Sequence, residues 1–298
     1  MQIGFIGLGK MGKNIVCNLL SQKVEVIAYN RSQKPLQEVI SAGAIGASSV
    51  EDLVQKLNAP RVIWLMVTAG PVVDLFIDQL LPLLSQEDII IDGGNSFYKD
   101  AIKRAEKCAE KSIEYLDIGT SGGLTGARNG ACLTIGGKEE VFKKIEPLCK
   151  LIAIKNGYGY MGPSGAGHYV KMIHNGIEYA LLQAYGEGYE QLKNAPYKLD
   201  LKDISRVWSN GSVIRSWLTE LAQDAFSKDP NLEKITDKIG GGETGKWAEE
   251  TAKETNSPHN TLSHAPSVRY NTEEGNSFTK KFIAALRNEF GGHEVQLK

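Results

Sequence analysis

Lys171, His174, Asn175 and Glu178 stand at positions i, i+3, i+4 and i+7 of the segment Lys171-Met-Ile-His-Asn-Gly-Ile-Glu-Tyr179. On a helix that spacing sets all four on one side, each within about 60° of Lys171, with Lys171 and Glu178 roughly 10 Å apart along the axis. An amine and a carboxyl at that separation can bracket a bound chain of about six carbons and move protons at its two ends. Taken alone, the pattern is equally that of an amphipathic helix with a solvated Lys/Glu face.

Other groups supply the context. Gly7-Leu8-Gly9-Lys-Met11-Gly12 follows an apolar run and opens a helical one, the setting in which three glycines permit a tight turn, close approach of a pyrophosphate and tight helix packing. The phosphates of a dinucleotide would then meet a helix N-terminus. The next apolar run ends in Tyr29-Asn30-Arg31-Ser32, without the carboxylate that usually bonds an adenosine ribose. Arg31 can pair with a 2′-phosphate while Asn30 and Ser32 donate to it, which favours NADP over NAD; a solvated loop arginine is the alternative. Val67-Thr68 closes a further strand where backbone comes toward the cofactor. Ser121-Gly122-Gly123 offers a hydroxyl and backbone donors for a carboxylate, and Asn95, in Ile91-Asp-Gly-Gly-Asn-Ser96, can reach both nicotinamide and substrate. Arg287 and His293 give the C-terminal tail two groups suited to a phosphate, unless the tail is simply flexible. The four cysteines, Cys17, Cys108, Cys132 and Cys149, form no CxxC pair and no Cys/His cluster, so neither a metal site nor a disulfide framework is expected.

The elements that must carry these groups follow from periodicity. Short apolar runs at Ile3 to Ile6, Val24 to Tyr29, Val62 to Val67, Ile89 to Ile91 and Tyr115 to Ile118 alternate with helical stretches. That pattern predicts an α/β, Rossmann-type doubly wound parallel sheet over residues 1–163. From about residue 164 to 298 the periods are helical, which predicts an all-α second domain. Its first helix should run from about Ser164 past Tyr189 and bury Val170, Ile173, Ile177, Leu181 and Ala184 as one stripe. Glu254 to Asn276 reads as a loop or a broken helix. Asn276-Ser277 can cap a last helix through Phe278, Phe282, Ile283, Leu286 and Phe290, stopped by Gly291-Gly292.

Composition narrows the partners. The 34 basic and 35 acidic residues nearly cancel, which leaves no electrostatic footprint for a nucleic acid. No apolar run is long enough for a membrane span, and the motif at the first residues leaves no room for a targeting segment, so a soluble, cytoplasmic protein with reduced thiols is expected.

In order along nearly the whole chain, Gly7 to Gly12, Ile91 to Ser96, Ser121 to Gly123, Lys171 to Tyr179, Thr244-Gly-Lys-Trp247 and Arg287-Asn-Glu-Phe-Gly-Gly-His293 resemble the successive motifs of the 6-phosphogluconate dehydrogenases. The length resembles the short form of that family. The resemblance implies oxidative decarboxylation of 6-phosphogluconate to ribulose 5-phosphate with NADP or NAD, without a metal. It implies Lys171 as general base in its neutral form and Glu178, as a protonated carboxyl, as the acid. Ser121, Gly122, Gly123, His174 and Asn175 would hold the carboxylate end and hydroxyls, and Tyr179, Arg215, Arg287 and His293 the phosphate. A homodimer or homotetramer with a shared tail is implied as well. Two positions depart from the pattern. Gly240-Gly-Gly-Glu243 stands where the long form has a phosphate-binding lysine, and Asn30-Arg31 resembles NADP-dependent members although short-form members often have an acidic residue there. A 3-hydroxyisobutyrate-type dehydrogenase would not need Arg215, Arg287 and His293 together, and a non-catalytic NADP-binding regulator would not need Lys171 and Glu178.

Overall fold

The structure, a computed structural model, describes residues 1–240, 243–270 and 277–297. The chain divides into two compact units. The first, Met1–Met172, holds β1 (Gln2–Ile6), α1 (Lys10–Ser21), β2 (Glu25–Tyr29), α2 (Gln33–Ser41), β3 (Ile45–Gly46), α3 (Val50–Lys56), β4 (Val62–Leu65), α4 (Pro71–Leu80), β5 (Ile89–Asp92), α5 (Tyr98–Ala109), β6 (Glu114–Ser121), α6 (Gly123–Asn129), β7 (Ala131–Gly137), α7 (Glu139–Ile152) and β8 (Ala153–Gly162). Helix α8 (Ala166–Lys193) starts there and continues into the second unit, Ile173–Lys298, which adds α9 (Leu201–Ser209), α10 (Trp217–Lys228), α11 (Thr244–Glu254), α12 (Asn260–Tyr270) and α13 (Phe278–Gly291).

The eight strands lie in the order β3-β2-β1-β4-β5-β6-β7-β8. All five runs expected from the sequence are strands, and three were not foreseen: β3 spans two residues, and β7 and β8 are rich in glycine and lack continuous apolar runs. The expectation of a wholly parallel sheet needs one correction. β7 runs antiparallel to β6, while every other pair is parallel. A parallel return needs a crossover of roughly a dozen residues or more, and Gly122 to Gly130 is shorter than that. Two apolar clusters fill this unit, one around Ile3, Phe5, Val26, Trp64 and Ile91, the other around Ile6, Ile27, Ile63, Leu65 and Ile90. Successive strand residues thus divide between them, as a sheet covered on both faces requires.

The second unit has its own core around Leu182, Tyr189, Phe226, Phe282 and Leu286, with the Tyr189 and Phe282 rings stacked at 4.8 Å. Here the predicted stripe of α8 is wrong. Ile177 and Leu181 are 48% and 45% exposed and Val170 is 37% exposed, whereas Met172, Tyr179, Leu182 and Tyr189 are buried. The helix packs through glycines and aromatic rings instead of its aliphatic row: a Cβ on Gly176 would lie 3.1 Å from that of Ala248, and one on Gly186 would lie 2.9 Å from Thr279 Cγ2. The stretch read as a loop or broken helix contains the end of α11 and all of α12, while 271–276, including the expected cap partner Asn276, lies outside the described residues. Ser277 does cap α13 by accepting from Lys280 N, and Gly292 ends it in the left-handed region at φ 58°.

At the carboxyl end of the first unit's sheet a buried carboxylate organises the loops. Asp92 accepts from Ser96 Oγ (2.7 Å), Tyr115 OH (3.2 Å), Gly94 N (3.2 Å) and Arg104 Nη1 (3.3 Å). Arg104, itself buried, also binds Asp74 and the Gly70 carbonyl at the start of α4. Burial, and behind it the charges of Asp92 and Asp117, pushes the Tyr115 phenol well above its ordinary pKa, so it serves as a neutral donor. Arg104→Met would leave the Asp92 charge buried without its cation, a change that costs about 3 kcal/mol or more. Urea unfolding should show that loss, and a stability within about 0.5 kcal/mol of the parent would refute the role given to this pair.

Candidate active site

The first unit brings the expected nucleotide-binding residues together where the strand order reverses between β1 and β4. Gly7 adopts φ 100°, and a Cβ there would meet Met66 O at 2.4 Å and Val67 Cγ1 at 2.8 Å. Gly12 allows α1 to pack on the loop, since a Cβ would lie 2.1 Å from Gly7 O. Gly9, by contrast, faces open space, and it is the N-cap of α1 with no side-chain cap bond. An exposed, side-chain-free helix N-terminus is what a pyrophosphate requires, so these residues fit a dinucleotide. Leu8 and Met11 flank it, and Thr68 is exposed on the adjoining strand end.

Asn30 bonds within the loop. Its Oδ1 accepts from Leu8 N (2.9 Å) and its Nδ2 donates to Ser32 O (2.9 Å), so both ends of its amide hold the glycine loop to the end of β2. Arg31 and Ser32 are exposed beside it. Asn95 is exposed on the loop that Asp92 fixes, and Gly94 in that loop lies against Val67, where a Cβ would be 3.1 Å from Val67 O.

Lys171 belongs to the first unit and is 8% exposed. Its stem lies on β6, where a Cβ on Gly119 would fall 2.3 Å from Lys171 Cβ. Two residues further along the same strand, Ser121 opens the Ser121-Gly122-Gly123 turn, with Gly122 at φ 114° and Gly123 at φ 58°. The amine is thus carried by the strand whose end presents the donors expected for a carboxylate.

Further along α8 the second unit has two groupings. In the first, His174 Nδ1 lies 3.1 Å from Asn175 Oδ1 and 3.9 Å from Glu178 Oε2. In the second, Tyr179 OH lies 3.5 Å from Thr244 Oγ1, and the Arg269 guanidinium stacks on the Tyr179 ring at 3.5 Å from its centroid. Arg269 is buried and its Nη1 has no hydrogen-bond partner among the described residues. A guanidinium stacked on the Tyr179 ring with an N–H unspent has a donor to offer a phosphate oxygen. Sequence reading missed Arg269, whose only signal was an arginine in a stretch read as loop.

Arg215 lies exposed in the segment before α10, and its side chain makes no hydrogen bond or ion pair among the described residues. Arg287 donates to Gly240 O, and Asn288 Nδ2 donates to His293 O (2.8 Å), which folds the start of the tail onto the end of α13. The tail then returns to its own unit, with Thr236 N donating to Gln296 O (2.8 Å) and an antiparallel bridge between Ile235 and Leu297. Gly241 and Gly242, in the stretch where a phosphate-binding lysine is replaced, lie outside the described residues. Among the described residues there is no cluster of three or more His, Cys, Asp or Glu placed for a metal, and no helix long and apolar enough to cross a membrane.

Comparison with known proteins accounts for both units. Residues 2–164 match the NAD-binding domain of 6-phosphogluconate dehydrogenase, and residues 167–281 match the C-terminal domain of 6-phosphogluconate dehydrogenase. The chain is 43% identical, over its whole length and 99% of the relative's, to an NAD(+)-dependent, decarboxylating 6-phosphogluconate dehydrogenase of Haloferax volcanii. It is 40% identical to the NADP(+)-dependent, decarboxylating enzyme of Bacillus subtilis, with 86% of this chain covering 58% of that longer one. The solved structure of Plasmodium falciparum 6-phosphogluconate dehydrogenase superposes with a TM-score of 0.82 at 32% identity, over 93% of this chain and 66% of that one. With a nucleotide-binding unit and a helical unit both matched, and a relative of the same length aligned end to end, this chain belongs to the 6-phosphogluconate dehydrogenase family.

Proposed function

We propose that the protein oxidatively decarboxylates 6-phosphogluconate to ribulose 5-phosphate and CO2. The observation that carries this reading is the placement of Lys171, a buried amine seated on the strand that ends in Ser121, within a chain that has both family domains. The bound dinucleotide supplies one piece of chemistry, acceptance of hydride from C3.

The chain's own residues do the rest. Gly7 to Gly12 receive the pyrophosphate, Val67 and Thr68 line the approach, and Asn95 meets the nicotinamide and the substrate. Ser121, Gly122, Gly123, His174 and Asn175 hold the carboxylate end and hydroxyls. Lys171 removes the proton from the C3 hydroxyl as the C3 hydride departs. The resulting 3-keto acid loses CO2 as its electrons move onto the carbonyl oxygen, which Lys171, now an ammonium, stabilises. Glu178, about two turns further along α8, delivers a proton to C1 of the enediol. Tyr179, Thr244 and Arg269 hold the phosphate, with Arg287 and His293 of the tail. Arg269 takes the part that the sequence had suggested for Arg215.

NADP is favoured over NAD on the strength of Arg31, whose exposed guanidinium beside the glycine loop suits a 2′-phosphate. Association into a homodimer or homotetramer is supported by the exposed aliphatic side chains of Ile177 and Leu181 on α8. The cytoplasm is the compartment in which this chemistry and four unpaired thiols are at home.

Purified protein given 6-phosphogluconate with NAD or NADP should yield reduced cofactor and CO2 in equal amounts, and no CO2 with either cofactor would remove the reading. Lys171→Met should abolish turnover while cofactor still binds; a few per cent of residual activity would sink its assignment as base. Loss of a charge-assisted bond in Arg269→Met should raise KM for 6-phosphogluconate by about tenfold or more, whereas Arg215→Met should leave it within about twofold. Equal effects at the two positions would count against Arg269. Arg31→Ala should erase the preference for NADP, measured as the ratio of kcat/KM values.

A further inference from the structure

Strand β6 presents Asp117, Gly119 and Ser121 on one face at two-residue intervals. Each has a separate task. The buried Asp117 carboxylate accepts from two backbone amides of the incoming helix, Gly165 N at 2.7 Å through Oδ1 and His168 N at 2.9 Å through Oδ2. These are donors that the start of a helix leaves without intrahelical partners. Gly119 leaves room for the Lys171 stem, which lies on the next turn of α8 after His168. Ser121 opens the turn expected to hold the substrate carboxylate.

The docking has no slack. A Cβ on Gly167 would lie 2.3 Å from Asp117 O and 2.6 Å from Gly136 N, and one on Gly136 would lie 2.6 Å from Asp117 Oδ1. Thr134 Oγ1, on the neighbouring strand, donates to Gly167 O at 2.9 Å. The first turn of α8 therefore rests directly on the backbone of β6 and β7. The His168 ring is buried with neither nitrogen hydrogen-bonded among the described residues, so the contact between Asp117 and His168 runs through the main chain and forms no proton relay.

We propose that Asp117 is the positioning residue for Lys171: by tying the N-terminus of α8 to β6 it seats the lysine stem in the gap at Gly119, and β6 thereby fixes the spacing between the amine and the Ser121-Gly122-Gly123 turn. The inference rests on Lys171 being the base. Asp117 touches neither the amine nor any reacting atom and acts only through the helix. An asparagine would not substitute, because it offers one acceptor where two amides need one each and turns an NH2 toward the other. A displacement of about 1 Å in a reacting group costs on the order of 100-fold in rate.

The test uses the full-length protein in two variants. Asp117→Asn removes one anchor, and Gly119→Ala inserts a methyl where the Lys171 Cβ lies, displacing the stem even if the anchor stays. For each, cofactor-binding sites are titrated by quenching of protein fluorescence, and kcat per titrated site is compared with KM for 6-phosphogluconate and cofactor. The expected result for both is a fall in kcat per site of roughly 10- to 100-fold with both KM values within about threefold of the parent. A merely structural role would instead lower the number of titrated sites and leave kcat per site unchanged. That outcome, or KM rising in step with the loss of kcat, overturns the proposal. Failure of the underlying reading has a different signature: the parent protein would release no CO2, or Lys171→Met would remain active.

Discussion

Backbone meets backbone with no side chain between them at the places where this chain binds and positions, and that close approach is the constraint on which the rest depends. Gly12 against the Gly7 carbonyl, and Gly167 against the Asp117 carbonyl and the Gly136 amide, are contacts that a single added carbon would break. Close approach buries amides and carbonyls, and a buried amide without an acceptor is costly. The chain answers with buried carboxylates on or beside its strands. Asp88 accepts from Arg61 N and Ser85 N at the start of β5, Asp92 gathers the loop after β5, and Asp117 receives the start of α8.

Those carboxylates are held in unlike ways. Asp92 has Arg104 and Asp88 has Arg61 as partner cations. Asp117 has chiefly amides, and burial pushes its carboxyl above the usual range while nearby His168 and the two amides act in the opposite direction. A carboxylate kept in place by main-chain donors gives direction to a helix more than it gives stability.

The glycine loop, the strand ends at Asn95 and Ser121, and the Lys171 helix were legible because their chemistry is local: a turn needs glycine, and a helix spaces residues by fixed angles. The five recognised strands were legible because both faces of each are buried, so their runs are largely apolar. β7 and β8 were not, since glycines that admit neighbouring backbone replace the apolar residues that would have announced them. The face of α8 was misjudged for a related reason. Val170, Ile177 and Leu181 stay exposed while Met172, Tyr179, Leu182 and Tyr189 are buried and Gly176 and Gly186 admit close neighbours, a pattern that counting of apolar positions cannot detect. The setting of Arg269 was invisible because it is non-local: the guanidinium stacks on a Tyr179 ring from a helix some ninety residues earlier in the sequence.

Asn30 has a consequence for how such a protein can change over generations. Its amide is spent on Leu8 and Ser32, inside the loop, so the integrity of the nucleotide site and the sign of the charge beside it draw on different atoms. Residue 31 lies outside that network and can be exchanged without disturbing a bond of the fold. With the role proposed for Arg31, the choice between electron carriers can change while the bonds that hold the glycine loop stay as they are.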